Sequence, residues 1–465
     1  MNARRLLLSL LALCLLLGAA AYAVAWQPSL AVLAENEQQD FPPDVVARGA
    51  QLAAVGNCIA CHTVPGERAF AGGLALPTPF GTIHSTNITP DRETGIGAWT
   101  QEAFRRAMRQ GVDREGNYLY PAFPYDHYTR VTDEDNHALY AFLMTRQPVR
   151  AEGKPNDLPF PLGFRPLLAG WKLLFLEEGP HPVDEARGEA WNRGRYLVEG
   201  LAHCGACHTP RNALGAVDRS RNLGGGEAEG WQAYAINADS QAPVPWDEDS
   251  LAFYLRNGWH ELHGVSRGPM AEVTGNLGLL PDEDIRAMAA YVASVMGEPS
   301  AERRERGERL KERFGTGGRL VQASDSQTDV SGQARGTGHP GEALYRSACA
   351  NCHEGGRPQP YGGLDFTLST AVNAPDPQNI ITVTLFGLPP ADGEASAIMP
   401  AFANTLGDAQ MADLLAYMRE RFSGGPPWQD LARQVRETRD GTRHVAVRPA
   451  DGIERAPRNV GAKED

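Results

Sequence analysis

The hydrophobic positions of the chain recur at helical spacing in three stretches, and each stretch ends in a similar closing helix. Thr132 followed by Asp133-Glu134-Asp135 indicates the start of the first one, because a threonine cap and acids in the first turn stabilise a helix N-terminus. Pro281-Asp282-Glu283-Asp284 and Leu406-Gly407-Asp408 indicate the starts of the other two. Turn-rich segments of Gly and Pro separate the helices, so the pattern predicts an all-α protein.

The three stretches also share landmarks. Arg193-Gly194 precedes Cys204 as Arg48-Gly49 precedes Cys58, and a tryptophan follows these two cysteines by 42 and 41 residues. Such duplication predicts three tandem domains. We place them at 41–150, 184–297 and 339–422, with an N-terminal segment at 1–30, an apolar linker at 151–183, a charged and then flexible linker at 298–338, and a tail at 423–465 that is irregular beyond about Arg439.

The N-terminal segment 1–30 carries Arg4-Arg5 and then an uncharged apolar run from Leu6 to Ala25. A positive start followed by an apolar run predicts export across a membrane. Ala21-Tyr22-Ala23 is typical of a signal-peptide cleavage site. The run is nevertheless 20 residues long, which is about 30 Å as a helix, and Trp26 suits a membrane interface. We therefore expect a retained transmembrane anchor.

The linker contains an unusually apolar stretch at residues 164–176. Either this stretch packs between the first two domains, or it forms an apolar surface that meets a membrane or a partner subunit. The sequence leaves both interpretations open.

Six of the seven cysteines lie in three copies of a C-x-x-C-H motif. Two thiols at this spacing reach the two vinyl groups of one porphyrin, and the adjacent histidine becomes the proximal iron ligand. A thioredoxin-like redox pair does not need that histidine, and 145 or 146 residues between copies are too many for the paired knuckles of a zinc site. The sequence predicts three covalently bound haem c groups, attached through Cys58, Cys61, Cys204, Cys207, Cys349 and Cys352, with His62, His208 and His353 as proximal ligands.

Charge and compartment narrow the function further. The net charge of −13 argues against a nucleic-acid partner, which selects a basic surface, and it permits attraction to a basic redox partner. Haem attachment to cysteines takes place outside the inner membrane. Together with the apolar N-terminus, this predicts a location on the periplasmic side of the bacterial inner membrane.

The ligand on the distal side of each iron sets its reduction potential and decides whether it can bind anything else. The repeat locates that position ahead of the closing helix. Met399 lies 46 residues beyond His353, and Met270 lies 62 residues beyond His208. We expect both methionines to be sixth ligands on loops that precede the closing helices.

The first domain has Phe123 at this position, 61 residues beyond His62, and a phenyl ring cannot ligate iron. His127 shares the loop and is our candidate for the sixth ligand of that iron. Met108, His84 and an open site remain alternatives. The other histidines without a place in the repeat are expected at the surface: His137, His203, His260 and His263.

Three haem c domains in this order resemble the cytochrome subunits of membrane-bound periplasmic dehydrogenases that oxidise alcohols, gluconate or sugars. The resemblance covers about residues 40–430 and rests on Leu52-Ala53-Ala54, Ser85-Thr86-Asn87-Ile88-Thr89-Pro90-Asp91, Tyr120-Pro121-Ala122, Cys207-His208-Thr209-Pro210-Arg211-Asn212, Met399-Pro400-Ala401-Phe402 and Pro426-Pro427-Trp428. It implies a subunit that takes electrons from a separate catalytic subunit and passes them to ubiquinone or a terminal cytochrome.

Phe123 departs from the alcohol-oxidising members, which carry methionine there. The segment Phe123-Pro124-Tyr125-Asp126-His127 is more similar to cytochromes that accompany molybdenum hydroxylases of aldehydes or of N-heterocycles such as nicotinate and isoquinoline. The sequence has no glycine-rich dinucleotide fingerprint and no quinoprotein or flavin domain, so we expect no oxidation of an organic substrate by the chain itself. Two other functions stay open: a haem enzyme whose open first iron reduces a small ligand such as peroxide, and a free electron shuttle.

Overall fold

The computed structural model describes residues 25–35, 40–314, 338–357, 360–389 and 398–442, together with isolated positions between 7 and 23. Its first part contains the helices α1 (Pro43–Val55), α2 (Cys58–His62), α3 (Gln101–Gln110), α4 (Tyr125–Tyr128), α5 (Asp133–Met144) and α6 (Leu167–Phe175). The second part contains α7 (Glu189–Tyr196), α8 (Gly205–His208), α9 (Glu248–Asn257), α10 (Pro269–Leu277), α11 (Asp282–Met296) and α12 (Ala301–Phe314). The third part contains α13 (Gly341–Ala348), α14 (Ala350–His353), α15 (Thr370–Asn373), α16 (Gln378–Phe386), α17 (Asp408–Phe422) and α18 (Leu431–Arg439).

Short strands accompany the helices in the first two parts. They form three antiparallel hairpins: β1 (Ala75–Thr78) with β2 (Gly81–His84), β3 (Gly226–Ala228) with β4 (Trp231–Ala233), and β5 (Trp259–His260) with β6 (Gly264–Val265). The protein is predominantly helical, as predicted, but the prediction of an all-α fold misses these hairpins. Strands of two to four residues are too short to show an alternating pattern in the sequence.

The three predicted closing helices are confirmed as α5, α11 and α17. In each part the first helix crosses the closing helix at a glycine. At Gly49 on α1 an added Cβ would come within 1.9 Å of the Ala138 carbonyl oxygen on α5. Corresponding approaches of 1.9 and 2.0 Å join the other first and closing helices, at Gly194 with Ala287 and at Gly341 with Asp413. The absent side chain lets the two backbones touch, so the same helix crossing is formed three times.

The first two parts share one continuous hydrophobic core, whereas the third part has its own. Asp135 on α5 is buried and joins the two parts in the shared core. It accepts a hydrogen bond of 2.7 Å from the Arg48 side chain and one of 2.6 Å from the Tyr196 hydroxyl group of the second part. A buried carboxylate needs such partners to offset its lost hydration.

One extra residue in the second part is absorbed by a change of helix type. Cys204 follows Gly194 by 10 residues, whereas Cys58 follows Gly49 by only 9. The chain after α7 continues through Leu197–Leu201 as a π-helix. A π-bulge holds one more residue than the same length of α-helix, so the second motif follows its glycine crossing as the first motif does.

The segments between and after the three parts correspond only in part to the predictions. The charged helix of the second linker is confirmed as α12, and it docks on the second part, where Gly307 lies against Pro245. After α17, Leu431 and Val435 on α18 pack into the third core, which therefore extends beyond the predicted end at 422. The flexible linker at 315–337 and most of the predicted anchor at 6–25 lie outside the described residues. None of the described helices is long and apolar enough to cross a bilayer.

Candidate haem-binding sites

Each C-x-x-C-H motif forms a short helix directly after the first helix of its part, as α2, α8 and α14. All six motif thiols are free. Burial raises the pKa of the Cys58 thiol to about 12 and that of Cys349 to about 11. Burial therefore disfavours the thiolate form of these two cysteines, and no disulfide keeps any of the six from attaching a porphyrin.

Each motif histidine is held by a hydrogen bond from Nδ1 to a backbone carbonyl oxygen. The acceptors are Thr86 at 2.7 Å for His62, Tyr234 at 2.7 Å for His208 and Leu364 at 2.8 Å for His353. We assign the proton to Nδ1 on this basis, which leaves the Nε2 lone pair free to ligate a metal. Burial lowers the pKa of all three imidazoles and so favours the neutral form that iron ligation requires.

The hairpins explain how the first two acceptors reach their positions. Thr86 comes two residues after β2, and Tyr234 comes directly after β4. Glycines make the approach possible, since an added Cβ at Gly72 would lie 2.3 Å from the carbonyl carbon of Thr86. In the third part Gly363 has this function, because an added Cβ there would lie 2.8 Å from Nδ1 of His353. The sequence marks Ser85–Asp91 as a motif, but nothing in it indicates that a carbonyl oxygen is the functional group.

The second and third motifs open into one continuous cavity of about 860 Å³. Its wall carries Cys204, Cys207, His208 and Met270 from the second part, and Cys349, Cys352, His353 and Met399 from the third. The structure thus brings each predicted methionine into the same cavity as its motif histidine. An apolar cavity lined by two thiols, an imidazole with a free Nε2 and a thioether fits a covalently bound haem at both motifs.

The two methionines lie on different types of secondary structure. Met399 lies on a loop, where its backbone exchanges hydrogen bonds of 3.2 and 2.9 Å with Leu388. Met270 lies in the first turn of α10 and not on the expected loop. Pro269 begins this helix, and proline is favoured at a first helical position because its missing N–H would have no partner there.

His127, the candidate ligand of the first site, has the same bonding arrangement as the motif histidines. Its Nδ1 lies 3.0 Å from the carbonyl oxygen of Glu199, and its Nε2 is buried with no hydrogen-bond partner among the described residues. The ring also touches the second motif, where an added Cβ at Gly205 would lie 2.8 Å from its Cε1 atom. Phe123 packs against the shared core, with its ring 5.3 Å from that of Tyr128.

The two alternative ligands of the first site occupy less suitable places. His84 lies on β2, two residues before the carbonyl group that holds His62, which places its backbone on the proximal side of that site. Met108 is buried in the shared core beside α3 residues such as Phe104. The Nδ1 atom of His84 is nevertheless buried with no hydrogen-bond partner among the described residues, as Nε2 of His127 is, so His84 stays an alternative ligand, whereas Met108 has the position of a core residue.

Of the four further histidines expected at the surface, none is fully exposed, since His137, His203, His260 and His263 are all partly buried. His203 precedes Cys204 in a left-handed conformation, with φ of 40°, and its Nε2 lies 3.2 Å from the carbonyl oxygen of Gly56. His263 stacks on Trp246 with 3.4 Å between the ring centroids. The surroundings of these histidines are formed by contacts between parts and by long loops. The spacing of the sequence repeat therefore does not predict how far they are buried.

The first and second motifs adjoin at this junction. Next to the Gly56 contact, Asn276 donates a hydrogen bond of 2.5 Å to the Asn57 side chain, just ahead of Cys58. The hydroxyl group of Tyr128 also donates to the Gly56 carbonyl, at 3.2 Å. The second motif therefore lies between the first motif, which it meets here, and the third, with which it shares a cavity.

Comparison with known proteins gives matches over most of the chain. Residues 46–147 match the family described as cytochrome c, and residues 336–418 match the family described as cytochrome C oxidase, cbb3-type, subunit III. A nicotinate dehydrogenase subunit of Pseudomonas putida is 42% identical over 91% of this chain. The chain spans only 34% of the length of that relative.

Two further relatives are matched over most of their own length. The fructose dehydrogenase cytochrome subunit of Gluconobacter japonicus is 37% identical, over 86% of this chain and 84% of its own. The gluconate 2-dehydrogenase cytochrome c subunit of Pantoea cypripedii is 37% identical, over 88% of this chain and 92% of its own. The chain therefore belongs to the family of dehydrogenase cytochrome c subunits, and it is an electron-transfer subunit.

Proposed function

We propose that this chain carries three haem c groups in a row and conducts electrons from a catalytic dehydrogenase subunit to ubiquinone or a downstream cytochrome. The observation that carries the proposal is the threefold recurrence of one site. In each copy a C-x-x-C-H helix presents two free thiols and a histidine whose Nδ1 is held by a backbone carbonyl oxygen. Haem bound there supplies reversible one-electron chemistry. We place the protein on the periplasmic side of the inner membrane, held by the N-terminal run.

The residues around the sites would fix the geometry and set the potentials. Three pairs of cysteines would attach the three groups, and the adjacent histidines His62, His208 and His353 would ligate the iron: Cys58 and Cys61, Cys204 and Cys207, and Cys349 and Cys352. Met270 and Met399 would be the sixth ligands at the second and third sites, and their place in the shared cavity supports this assignment. Thioether ligation favours ferrous iron and raises the potential relative to ligation by two histidines.

At the first site we propose His127 as the sixth ligand. A buried imidazole nitrogen without a partner is costly unless something binds it. The Nδ1 bond to Glu199 leaves Nε2 as the coordinating atom, as in the three motif histidines. With two histidines as ligands the first site would have the lowest potential of the three.

We further propose that the catalytic partner is of the molybdenum hydroxylase type. The segment Phe123–His127 resembles the cytochromes of that class, and one relative is named as a nicotinate dehydrogenase subunit. The identity of 42% over 91% of this chain supports the choice over a sugar or alcohol dehydrogenase. Purification of the native complex and identification of its other subunits by mass spectrometry tests this. Co-purification with a quinoprotein or flavoprotein would contradict it.

The haem count and the first ligand are tested on the purified full chain. A pyridine haemochrome assay and intact mass should give three haem groups per chain, and a count of two or fewer would contradict the proposal. The reduced wild-type protein should not bind carbon monoxide. Binding by the wild type would instead favour an open first iron that reduces a small ligand.

The His127→Ala variant should bind one carbon monoxide per chain and shift only the lowest of the three potentials. His137→Ala is the matched control, because His137 is also partly buried but bonds to the Gln101 side chain on the neighbouring helix. If both variants keep the wild-type spectrum and all three potentials, His127 is not a ligand.

A further inference from the structure

The linker between the first two parts exposes a group of large apolar side chains on and before α6. We call this group the linker patch; it consists of Phe160, Phe164, Leu167, Leu173 and Leu174. Phe160 is 96% exposed, and Leu173 and Leu174 are 73% and 70% exposed. A group of large exposed apolar side chains on a protein surface often marks a binding site.

The opposite face of α6 is anchored to the protein. The Trp171 indole donates a hydrogen bond of 3.0 Å to the Leu214 carbonyl oxygen of the second part, and its ring meets that of Tyr125 edge to face at 6.0 Å. Ala169 is buried against Val112 and Tyr118. The helix therefore packs between the first two parts with one face, as the first sequence interpretation predicts, and exposes the linker patch on the other.

The charged groups of this segment are directed away from the linker patch. Residues 160–176 contain only two charged side chains, Arg165 and Lys172. The Lys172 ammonium lies 4.8 Å from the centre of the Tyr118 ring, and the Arg165 guanidinium lies 5.8 Å from that of Tyr120. Both cations stack on aromatic rings of the first part. The Arg165 side chain is still 41% exposed, but its guanidinium lies towards Tyr120 and Asp113 of the first part, so the five side chains of the linker patch include no charge of their own.

The N-terminal apolar run reaches the protein body at the same place. Ala25, the last residue of that run, packs with Leu168 and Ala169 of α6 in one small cluster. Trp26 follows and is 57% exposed. A segment that enters a bilayer beside Ala25 would bring the linker patch to the lipid surface.

We propose that the linker patch is a second membrane contact, with α6 lying in the interface of the bilayer into which the N-terminal run inserts. Nine residues of helix extend only about 14 Å, so α6 can lie on a bilayer but cannot cross it. Phenylalanine and leucine are the side chains that such interfacial helices bury. This inference rests on the proposed location of the protein at a membrane.

The test measures the depth of one side chain in the full-length holoprotein. Cys14 is the only cysteine outside the haem motifs, so Cys14→Ala allows a single new cysteine to carry a nitroxide spin label. The label is placed by Leu173→Cys, and by Leu279→Cys as a matched control, since Leu279 is 68% exposed and lies outside the linker patch. Collision rates with oxygen and with a water-soluble nickel chelate are measured with and without vesicles of phosphatidylethanolamine and phosphatidylglycerol.

At Leu173 vesicles should raise the oxygen collision rate and lower the nickel rate, while the label at Leu279 should not change. Adding Leu167→Glu and Leu174→Glu should return the Leu173 label to water. These two side chains are exposed, so the core is untouched.

Three results would overturn the inference. If the protein floats with vesicles but the Leu173 label stays in water, the linker patch does not dock while the membrane location stands. A protein that does not float at all refutes the location and the docking together. Protection of Leu173 that requires the catalytic subunit would make the patch a subunit interface.

Discussion

Replacing Gly49 with alanine tests whether the helix crossing in the first part depends on the missing side chain. The new Cβ would lie 1.9 Å from the Ala138 carbonyl oxygen and 2.7 Å from Cβ of Phe142. Both neighbours belong to α5, and the closest is backbone, which cannot rotate away. The helices α1 and α5 must therefore separate.

The required separation of the two helices is large for a packed interface. An ordinary contact needs at least 3.4 Å, so the helices must move apart by about 1.5 Å at this point. Overpacking of this kind costs up to about 3 kcal/mol, and the better helix propensity of alanine returns about 1 kcal/mol. The net loss is about 2 kcal/mol of unfolding free energy. Because the first two parts share a core, they should unfold together as roughly 250 residues, and the midpoint should fall by about 4–8 °C.

Thermal unfolding of the holoprotein, followed by circular dichroism, measures the effect. Gly170→Ala is the control, because Gly170 is also helical but has no atom within 4 Å of an added Cβ. That variant should be neutral or more stable by up to about 1 kcal/mol. Gly194→Ala should resemble Gly49→Ala, since its approach to Ala287 is also 1.9 Å. A Gly49→Ala protein as stable as Gly170→Ala would refute the reasoning.

Two further predictions concern the distal ligands and pH. Met270→Ala and Met399→Ala should each lower one midpoint potential in a redox titration by on the order of 0.1 V and leave the other two unchanged, whereas the control Met144→Ala should leave all three unchanged. Burial raises the pKa of Glu199, but hydrogen bonds from His181 and Tyr291 outweigh it and lower that pKa from 4.5 to about 2. The charge therefore stabilises the fold above pH 4.5 and ceases to do so towards pH 2. In urea unfolding, Glu199→Gln should lower the free energy of unfolding by on the order of 2 kcal/mol at pH 7. The difference in unfolding free energy between wild type and variant should become smaller as the pH falls from 4.5 to about 2.

What the sequence predicts well is local. The C-x-x-C-H motif and the starts of the closing helices each depend on residues within about one helical turn. Thr132 caps α5 through a bond of 3.2 Å to the backbone N–H of Asp135, as its position indicates. The glycines at 49 and 194 are visible as a repeated Arg-Gly pair, although only the structure shows that the backbone of α5 or α11 fills the space beside them.

What the sequence does not predict is formed by contacts between distant residues. The acceptors of the motif histidines lie 24, 26 and 11 residues beyond them, and each acts through a carbonyl oxygen that every residue type has. The contact made by His203 also depends on a residue that is distant in the sequence. The position of His203 before Cys204 corresponds to that of Asn57 before Cys58, and both residues are left-handed. Only the packing of the first part on the second gives its Nε2 an acceptor at Gly56.

The spacing of the three sites follows from how the parts are joined. The first two motifs belong to one shared core, so their separation is as rigid as the core itself. The third part has its own core and meets the second through polar groups on α16. The Asn379 side chain exchanges hydrogen bonds of 2.8 and 2.9 Å with the backbone of Gln232, and the Gln378 side chain donates one of 3.1 Å to Gly230. Gln232 lies on β4, the strand that leads directly to the carbonyl oxygen holding His208. The contact that positions the third part is thus continuous with the element that positions the second histidine, so the shared cavity and the proximal geometry of the second site depend on the same short strand.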